Sequence, residues 1–119
     1  MTEIKNFTDL IAYKKSHALV LDVYFLTKKF PLDERFALTD QMRRSAISIT
    51  SNIAEGFSRN SSKDKAHFYS ISKGSLTEIY SQILISKDLG YIKEESIIIE
   101  KIEECTRLIS GLIKSAMSR

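Results

Sequence analysis

Side chains that commonly carry out chemistry are sparse in this sequence. It contains two histidines and a single cysteine, Cys105. Asp64 and His67 have the i, i+3 spacing of one half of a di-iron site in a helix bundle, but the second pair that such a site needs is missing. The sequence also lacks a glycine-rich phosphate loop, a nucleophile elbow and a paired-thiol metal motif. It therefore predicts a protein that is not an enzyme and that holds no metal or other cofactor.

Basic residues are concentrated between residues 41 and 75. The six in this stretch are Arg43, Arg44, Arg59, Lys63, Lys65 and Lys73. Only two acidic residues oppose them, so the stretch carries 6 − 2 = +4, whereas the whole chain carries +3. Arginine binds phosphate through two hydrogen bonds, and lysine adds long-range attraction. All of these residues except Lys73 are candidate contacts to RNA or DNA. The alternative interpretation is an ordinary solvated surface.

A band of small or polar residues runs beside the apolar residues of the same stretch. Small residues allow helices to approach closely, and an Asn or Glu in such a contact needs hydrogen-bond partners. Residues 72–78 supply further small or polar side chains that could pack against this band. Together they predict a structural polar network of Ser48, Asn52, Glu55, Ser75 and Glu78. A site that contacts a ligand is the alternative.

Four segments with helical periodicity would position these residues. They cover residues 8–29, 39–56, 63–89 and 93–118. Thr8, Thr39 and either Ser61 or Ser62 are candidate N-caps, and Gly56 and Gly90 are candidate helix ends. Only four glycines and one proline occur in the chain, which disfavours β-sandwiches and barrels. The predicted fold is an all-α, up-down-up-down antiparallel four-helix bundle that forms one domain over residues 1–119.

The first predicted helix is apolar on two nearly opposite faces. One carries Leu10, Tyr13, Val20, Leu21 and Tyr24, which have the spacing of a core face. A monomer would leave the other face in water, and exposed patches of that kind usually mark an interface. The fourth helix has a similarly wide apolar arc. These patterns predict a homo-oligomer, with candidate interface residues Leu19, Val23, Leu26, Phe30, Ile97 and Ile99. The alternative is a monomer whose loops cover the excess.

No segment has the length or apolarity of a membrane span. The most apolar stretch covers residues 18–26 and is interrupted by Asp22, whereas a span needs roughly 20 residues. Residues 1–7 include Glu3 and Lys5 and no apolar region typical of a secretory signal. A single cysteine fits a reducing compartment. We therefore expect a cytoplasmic protein with no membrane partner.

Several stretches of the chain together resemble one known family. They cover residues 13–15, 26–31, 34–39, 41–46, 51–56, 74–78 and 88–92. The most specific is Ser-Asn-Ile-Ala-Glu-Gly at residues 51–56, preceded by Arg43 and Arg44. With these motifs the sequence resembles the four-helix-bundle proteins encoded within intervening sequences of bacterial 23S ribosomal RNA genes. It departs from them at Tyr13, Thr50 and Lys93, where tryptophan, proline and a Ser or Thr cap are common.

The resemblance implies a bundle that assembles into a ring, with five subunits among relatives. A related branch, the accessory variability protein of diversity-generating retroelements, binds nucleic acid and works with a reverse transcriptase. By similarity, Arg43, Arg44 and Arg59 would contact phosphate, while Asn52, Glu55 and Glu78 would support the fold. The expected function is RNA or DNA binding by a homopentamer. The alternative is an interaction scaffold or accessory subunit for a partner such as a reverse transcriptase, without a direct nucleic-acid role.

Overall fold

A computed structural model of the chain describes residues 3–118 and contains four α-helices. They are α1 (Ile11–Thr27), α2 (Leu38–Ser58), α3 (Ser62–Asp88) and α4 (Ser96–Met117). Short 3-10 turns precede α1 and α2, and the described residues form no β-strand. The predicted all-α class is confirmed. Residues 1, 2 and 119, which the predicted domain includes, lie outside the described part of the chain.

The starts of α1, α2 and α4 differ from the prediction. Thr8 lies inside a 3-10 turn, where its backbone N–H donates to the side chain of Asn6 at 3.2 Å, and α1 begins only at Ile11. Thr39 does not cap α2, because the helix begins one residue earlier and buries the threonine. Helix α4 begins three residues after residue 93, where the prediction placed it. The caps predicted at Thr8 and Thr39 are therefore wrong.

The two ends of α3 follow their local chemistry. The Ser61 hydroxyl accepts a hydrogen bond from the Asp64 backbone N–H at 3.1 Å, as an N-cap does. Just beyond the helix, Gly90 has φ +81°, a conformation that glycine adopts most readily. Gly56, by contrast, does not end α2, which continues to Ser58. Both the cap at Ser61 and the stop at Gly90 are confirmed, whereas the stop at Gly56 is wrong.

Neighbouring helices run antiparallel. Between α2 and α3, Gln82 is bonded to Ser45 and Ser72 to Ile49. Residue numbers therefore increase along α2 in the direction in which they decrease along α3. Helices α1 and α4 show the same relation in the ion pairs Lys15–Glu104 and Asp22–Lys101. Helix α1 thus packs on both α2 and α4, and α3 packs on both as well.

Both the α1–α2 link and the α3–α4 link lie at one end of the bundle. There the rings of Phe30 and Tyr91 are 5.2 Å apart between centroids. The Tyr91 hydroxyl donates to the Glu34 carboxylate at 2.7 Å, and this hydrogen bond raises the pKa of Tyr91. The two links are therefore held together by contacts of their own. We call this end of the molecule the Tyr91 end.

The core lies between all four helices. Its largest fully buried apolar side chains are Leu19, Val23, Met42, Ile49, Ile53, Leu76, Ile79, Ile83, Ile102 and Ile109. Burial of this kind stabilises the fold through the hydrophobic effect. None of the described helices is both long and apolar enough to cross a membrane.

Helix α1 buries the face that the sequence assigned to an interface. Leu19, Val23 and Phe30 lie in the core of the single chain, so their prediction as interface residues is wrong. Leu26 and Ile99 are half-buried against the same core, whereas Ile97 is 62% exposed. The expected core face of α1 is correct only in part, because Tyr13 and Val20 pack against the core, whereas Leu21 is 59% exposed.

Candidate nucleic-acid interface

The candidate basic residues form two groups rather than one. Arg43 and Arg44 lie near the start of α2, whereas Arg59, Lys63 and Lys65 lie at the turn between α2 and α3. Arg44 and Arg59 are 15 residues apart in sequence, which corresponds to about 22 Å along a helix that rises 1.5 Å per residue. The charge concentrated in residues 41–75 therefore does not make a continuous patch on one chain.

Arg43 is used inside the fold. Its Nε donates to the Thr27 hydroxyl at 2.9 Å, and its guanidinium carbon lies 4.6 Å from the centroid of the Tyr24 ring. A second nitrogen is 3.5 Å from the Tyr24 carbonyl oxygen. That carbonyl already accepts from the Lys28 backbone N–H at 3.1 Å, and a cation near the carboxyl end of a helix is favourable. Arg43 thus joins α2 to the end of α1, and part of its hydrogen-bonding capacity is used inside the fold.

Lys65 has a comparable role at the end of α2. Its Nζ donates to the Phe57 carbonyl oxygen at 2.7 Å, and it lies 5.3 Å from the centroid of the Phe57 ring. The lysine of α3 therefore satisfies a carbonyl of the last turn of α2. Like Arg43, Lys65 was predicted to contact phosphate, and in the structure it makes a contact within the protein.

Arg44, Arg59 and Lys63 keep their charges at the surface. The Arg44 side chain is 79% exposed and pairs with Asp40 at 3.0 Å. Arg59 pairs with Glu55 at 3.1 Å and lies 4.6 Å from the ring centroid of Phe68. Lys63 is exposed in the first turn of α3. Exposed ion pairs are weak, so a phosphate group can replace the carboxylate partner. We refer to these three residues as the exposed basic residues.

Three of the five predicted network residues are joined between α2 and α3. The Asn52 side-chain amide donates to the Ser48 carbonyl oxygen at 2.8 Å and to the Ser48 hydroxyl at 3.1 Å. The Ser75 hydroxyl donates to the Ser48 hydroxyl at 2.9 Å. Glu55 and Glu78 are exposed instead, and Glu55 bonds to Ser58 and Arg59. The predicted inclusion of the two glutamates is therefore wrong.

Other polar residues take part in the same contact, and among them Gln82 was not predicted from the sequence. The Ser72 hydroxyl donates to the Ile49 carbonyl oxygen at 2.7 Å, and the Gln82 amide donates to the Ser45 hydroxyl at 3.4 Å. Ser75 and Gln82 are seven residues apart, which places them on one face of α3. That spacing is the signal that could have identified Gln82. We call the polar contact between α2 and α3 the polar seam.

The residues with catalytic potential are not brought together. Burial raises the pKa of the Cys105 thiol, which disfavours the reactive thiolate. His17 lies 5.9 Å from Tyr13 between ring centroids, and His67 lies 5.3 Å from Phe68. Among residues 3–118, no three His, Cys, Asp or Glu side chains form a group that could hold a metal ion.

Comparison with known proteins agrees with this fold. Residues 8–111 match the family model described as 23S rRNA-intervening sequence protein. A search of curated proteins finds no match. Among solved structures, a protein of unknown function from the S23 ribosomal protein family of Bacteroides thetaiotaomicron is similar, with a TM-score of 0.80 and 22% identity. The similarity covers 87% of this chain and 96% of that chain, and it shows a shared fold.

The family match spans the motifs on which the resemblance was based. It covers both the double arginine and the Ser-Asn-Ile-Ala-Glu-Gly motif at residues 51–56. The structure explains part of that motif, because Asn52 belongs to the polar seam and Gly56 is buried against α3. The chain belongs to the 23S rRNA-intervening sequence protein family.

Proposed function

We propose that this protein is a non-enzymatic nucleic-acid-binding protein that contacts RNA or DNA phosphates through Arg44, Arg59 and Lys63. The observation that carries the proposal is the division among the basic residues. Arg43 and Lys65 are half-buried and bond to the Thr27 hydroxyl and the Phe57 carbonyl oxygen, while the exposed basic residues keep their charges in solvent. Cations held this way attract the phosphate backbone and recognise no particular sequence.

The proposal includes self-assembly. Two basic groups about 22 Å apart make few contacts on one chain. A ring of copies, five by similarity to relatives, would repeat them around a common axis. Support comes from the outward face of α1 and the adjoining part of α4, where Ile11, Leu21 and Ile97 are exposed. Large exposed apolar side chains grouped on one side of a protein are typical of an interface.

The test is a binding titration at several salt concentrations. The probes are fluorescent 20-nucleotide RNA and DNA strands, at ionic strengths from about 50 to 200 mM, over which backbone contacts weaken strongly. Combined substitution of Arg44→Gln, Arg59→Gln and Lys63→Gln should weaken binding at least about tenfold. It should also reduce the slope of log affinity against log salt by about 2.

The matched control is Arg107→Gln, which removes one exposed cation from α4 and should leave affinity within about twofold. Absence of binding by the wild-type protein at the lowest salt concentration would overturn the proposed function. Equal affinities of the triple variant and the wild type would overturn the assignment of the residues.

A second candidate function is an interaction scaffold or accessory subunit for an enzyme such as a reverse transcriptase. The exposed apolar side chains of α1 and α4 favour it, because they would suit a protein partner as well as a second copy. A wild-type protein that is monomeric in light scattering and binds neither RNA nor DNA would support this alternative.

A further inference from the structure

Two phenylalanine rings near the Tyr91 end are exposed to solvent. Phe25, in the last turns of α1, is 65% exposed, and Phe36, in the link to α2, is 83% exposed. They are eleven residues apart in sequence. Singly exposed apolar side chains are common on protein surfaces, so the surroundings of these two rings are what distinguish them.

Each exposed ring has a cation beside it. Lys29 Nζ lies 5.0 Å from the centroid of the Phe25 ring, and the guanidinium carbon of Arg35 lies 4.6 Å from the centroid of the Phe36 ring. Both distances are within the range of a cation–π interaction. A ring has two faces, and the observed exposures show that these cations leave much of each ring open. A planar group can therefore stack on the remaining surface.

The surrounding segment is positively charged. Within residues 25–36 the basic residues are Lys28, Lys29 and Arg35 and the acidic ones are Asp33 and Glu34, which gives 3 − 2 = +1. Lys29 and Arg35 are also the cations that lie beside the two rings. A phosphate next to a stacked base would therefore meet a positive charge.

Exposed aromatic rings interleaved with cations are the chemistry that binds single-stranded nucleic acid. Bases of a single strand offer open faces that stack on aromatic side chains, while cations hold the adjacent phosphates. A duplex has its base faces covered and cannot stack in this way. A second copy of the chain is the competing occupant, because Phe25 lies one turn from Leu21 on the outward face of α1. Lysine is depleted in interfaces between proteins, and Lys29 beside the Phe25 ring therefore favours the nucleic acid.

We propose that residues 25–36 form a stacking surface for single-stranded RNA or DNA. Phe25 and Phe36 hold bases, and Lys29 and Arg35 hold the neighbouring phosphates. This inference rests on the proposed nucleic-acid binding, and it names the single strand as the form that is bound. It also adds a second contact region to the one formed by the exposed basic residues.

The experiment compares three 15-nucleotide probes of fixed length: a single strand with a central 2-aminopurine, its duplex, and an abasic strand with the same phosphates. Wild-type protein should prefer the single strand and change its 2-aminopurine fluorescence. Phe25→Leu with Phe36→Leu should weaken single-strand binding about tenfold for each ring. Affinity for the duplex and for the abasic strand should not change.

The controls separate loss of stacking from loss of structure. Leu32→Ala removes an equally exposed apolar side chain without a ring from the same link and should leave all three affinities unchanged. Phe25→Tyr with Phe36→Tyr should retain single-strand binding because the ring faces are kept. The midpoint of urea denaturation should be the same for every variant as for the wild type, since the substituted side chains contribute little to the core.

The outcomes distinguish this inference from the proposed function. If the leucine variants bind the single strand like the wild type while the exposed basic residues still matter, the stacking surface is wrong and the proposed function stands. If the leucine variants instead lower the oligomer mass in light scattering, the rings belong to an interface between copies and the inference is overturned. If no probe binds, both proposals fail.

Discussion

Gly56 shows how one missing atom allows two helices to pack. A Cβ built at this position would lie 2.7 Å from Tyr69 Cε1 and 2.9 Å from Cδ1. The Tyr69 ring is itself buried, so it has little room to move away. The glycine at the end of the family's most specific motif is thus required by side-chain packing between α2 and α3 and not by backbone conformation.

Replacing Gly56 with alanine should destabilise the protein. The added methyl group overpacks the contact with Tyr69, and we expect a loss of about 1 to 3 kcal/mol in the free energy of unfolding. The measurement is urea denaturation followed by circular dichroism. Gly74→Ala is the matched control, since no atom would lie within 4 Å of its Cβ and alanine favours the helix by about 0.5 to 1 kcal/mol. A Gly56→Ala variant more stable than the wild type would contradict this account.

The sequence alone could not predict which basic side chains bond inside the fold and which remain at the surface. Arg43 and Arg44 are adjacent and chemically alike, yet one bonds to Thr27 and the other faces solvent. The difference depends on which carbonyls and hydroxyls the neighbouring helix presents, and that is a property of the packed structure. Sequence could identify the basic stretch but not the subset that remains outside.

At the scale of single helices, α1 explains why periodicity chose the wrong face. Its buried face includes Ser16 and Thr27, which lower its apparent apolarity, while its outward face includes Leu21 and Phe25. The Thr27 hydroxyl is satisfied within the helix by donating to the Val23 carbonyl oxygen at 2.8 Å, so its burial carries no unpaired group. The pattern alone cannot predict which of two similarly apolar faces is buried. Packing against α2 and α4 decides between them.

The attachment of α1 to α2 should depend on Arg43. Arg43→Met keeps most of the side-chain volume but removes the hydrogen bond to Thr27 and the stacking on Tyr24. We expect a loss of about 1 to 2 kcal/mol in the free energy of unfolding. Arg44→Met, beside it in the same helix, should change stability by less than about 0.5 kcal/mol. Urea denaturation of the two variants measures both values, and equal effects would show that Arg43 is not a helix-to-helix contact.

Helix ends divide into those set by local chemistry and those set by packing. Ser61 and Gly90 lie at predicted ends because an N-cap hydroxyl and a left-handed glycine act through their own backbone neighbours. Gly56 and Thr39 misled the prediction because both are buried inside α2 by contacts from elsewhere in the chain. The sequence therefore predicts the number and type of the helices more reliably than it predicts which face of a helix is buried or where a packed helix ends.

At the scale of the molecule, the exposed basic residues and the exposed apolar residues of α1 and α4 lie on different elements. The exposed basic residues lie on α2 and its turn into α3, whereas Leu21 and Ile97 lie on α1 and α4. The ion pair Asp22–Lys101 links these two helices beside the apolar residues. An assembly formed through α1 and α4 would therefore leave the exposed basic residues available.

Self-assembly is predicted to fail when this apolar face is charged. Leu21→Glu with Ile97→Glu should reduce the mass measured by light scattering to that of a single chain, because burying two carboxylates without partners is strongly unfavourable. Ile85→Glu on α3 is the control and should leave the mass unchanged, since Ile85 is exposed away from α1. A wild-type protein that already has the mass of one chain would contradict the prediction.

The polar seam also restricts how α2 and α3 can be aligned. Sliding α3 by one helical turn, about 5.4 Å, would separate Ser75 from Ser48 and Gln82 from Ser45. Each buried polar group left unpaired costs about 1 to 3 kcal/mol, whereas an entirely apolar contact would exchange one hydrocarbon neighbour for another. The hydrogen bonds of the polar seam thereby disfavour other alignments of α3 along α2. The short turn that carries Arg59 and Lys63 thus joins two helices whose alignment is fixed by side chains several turns away.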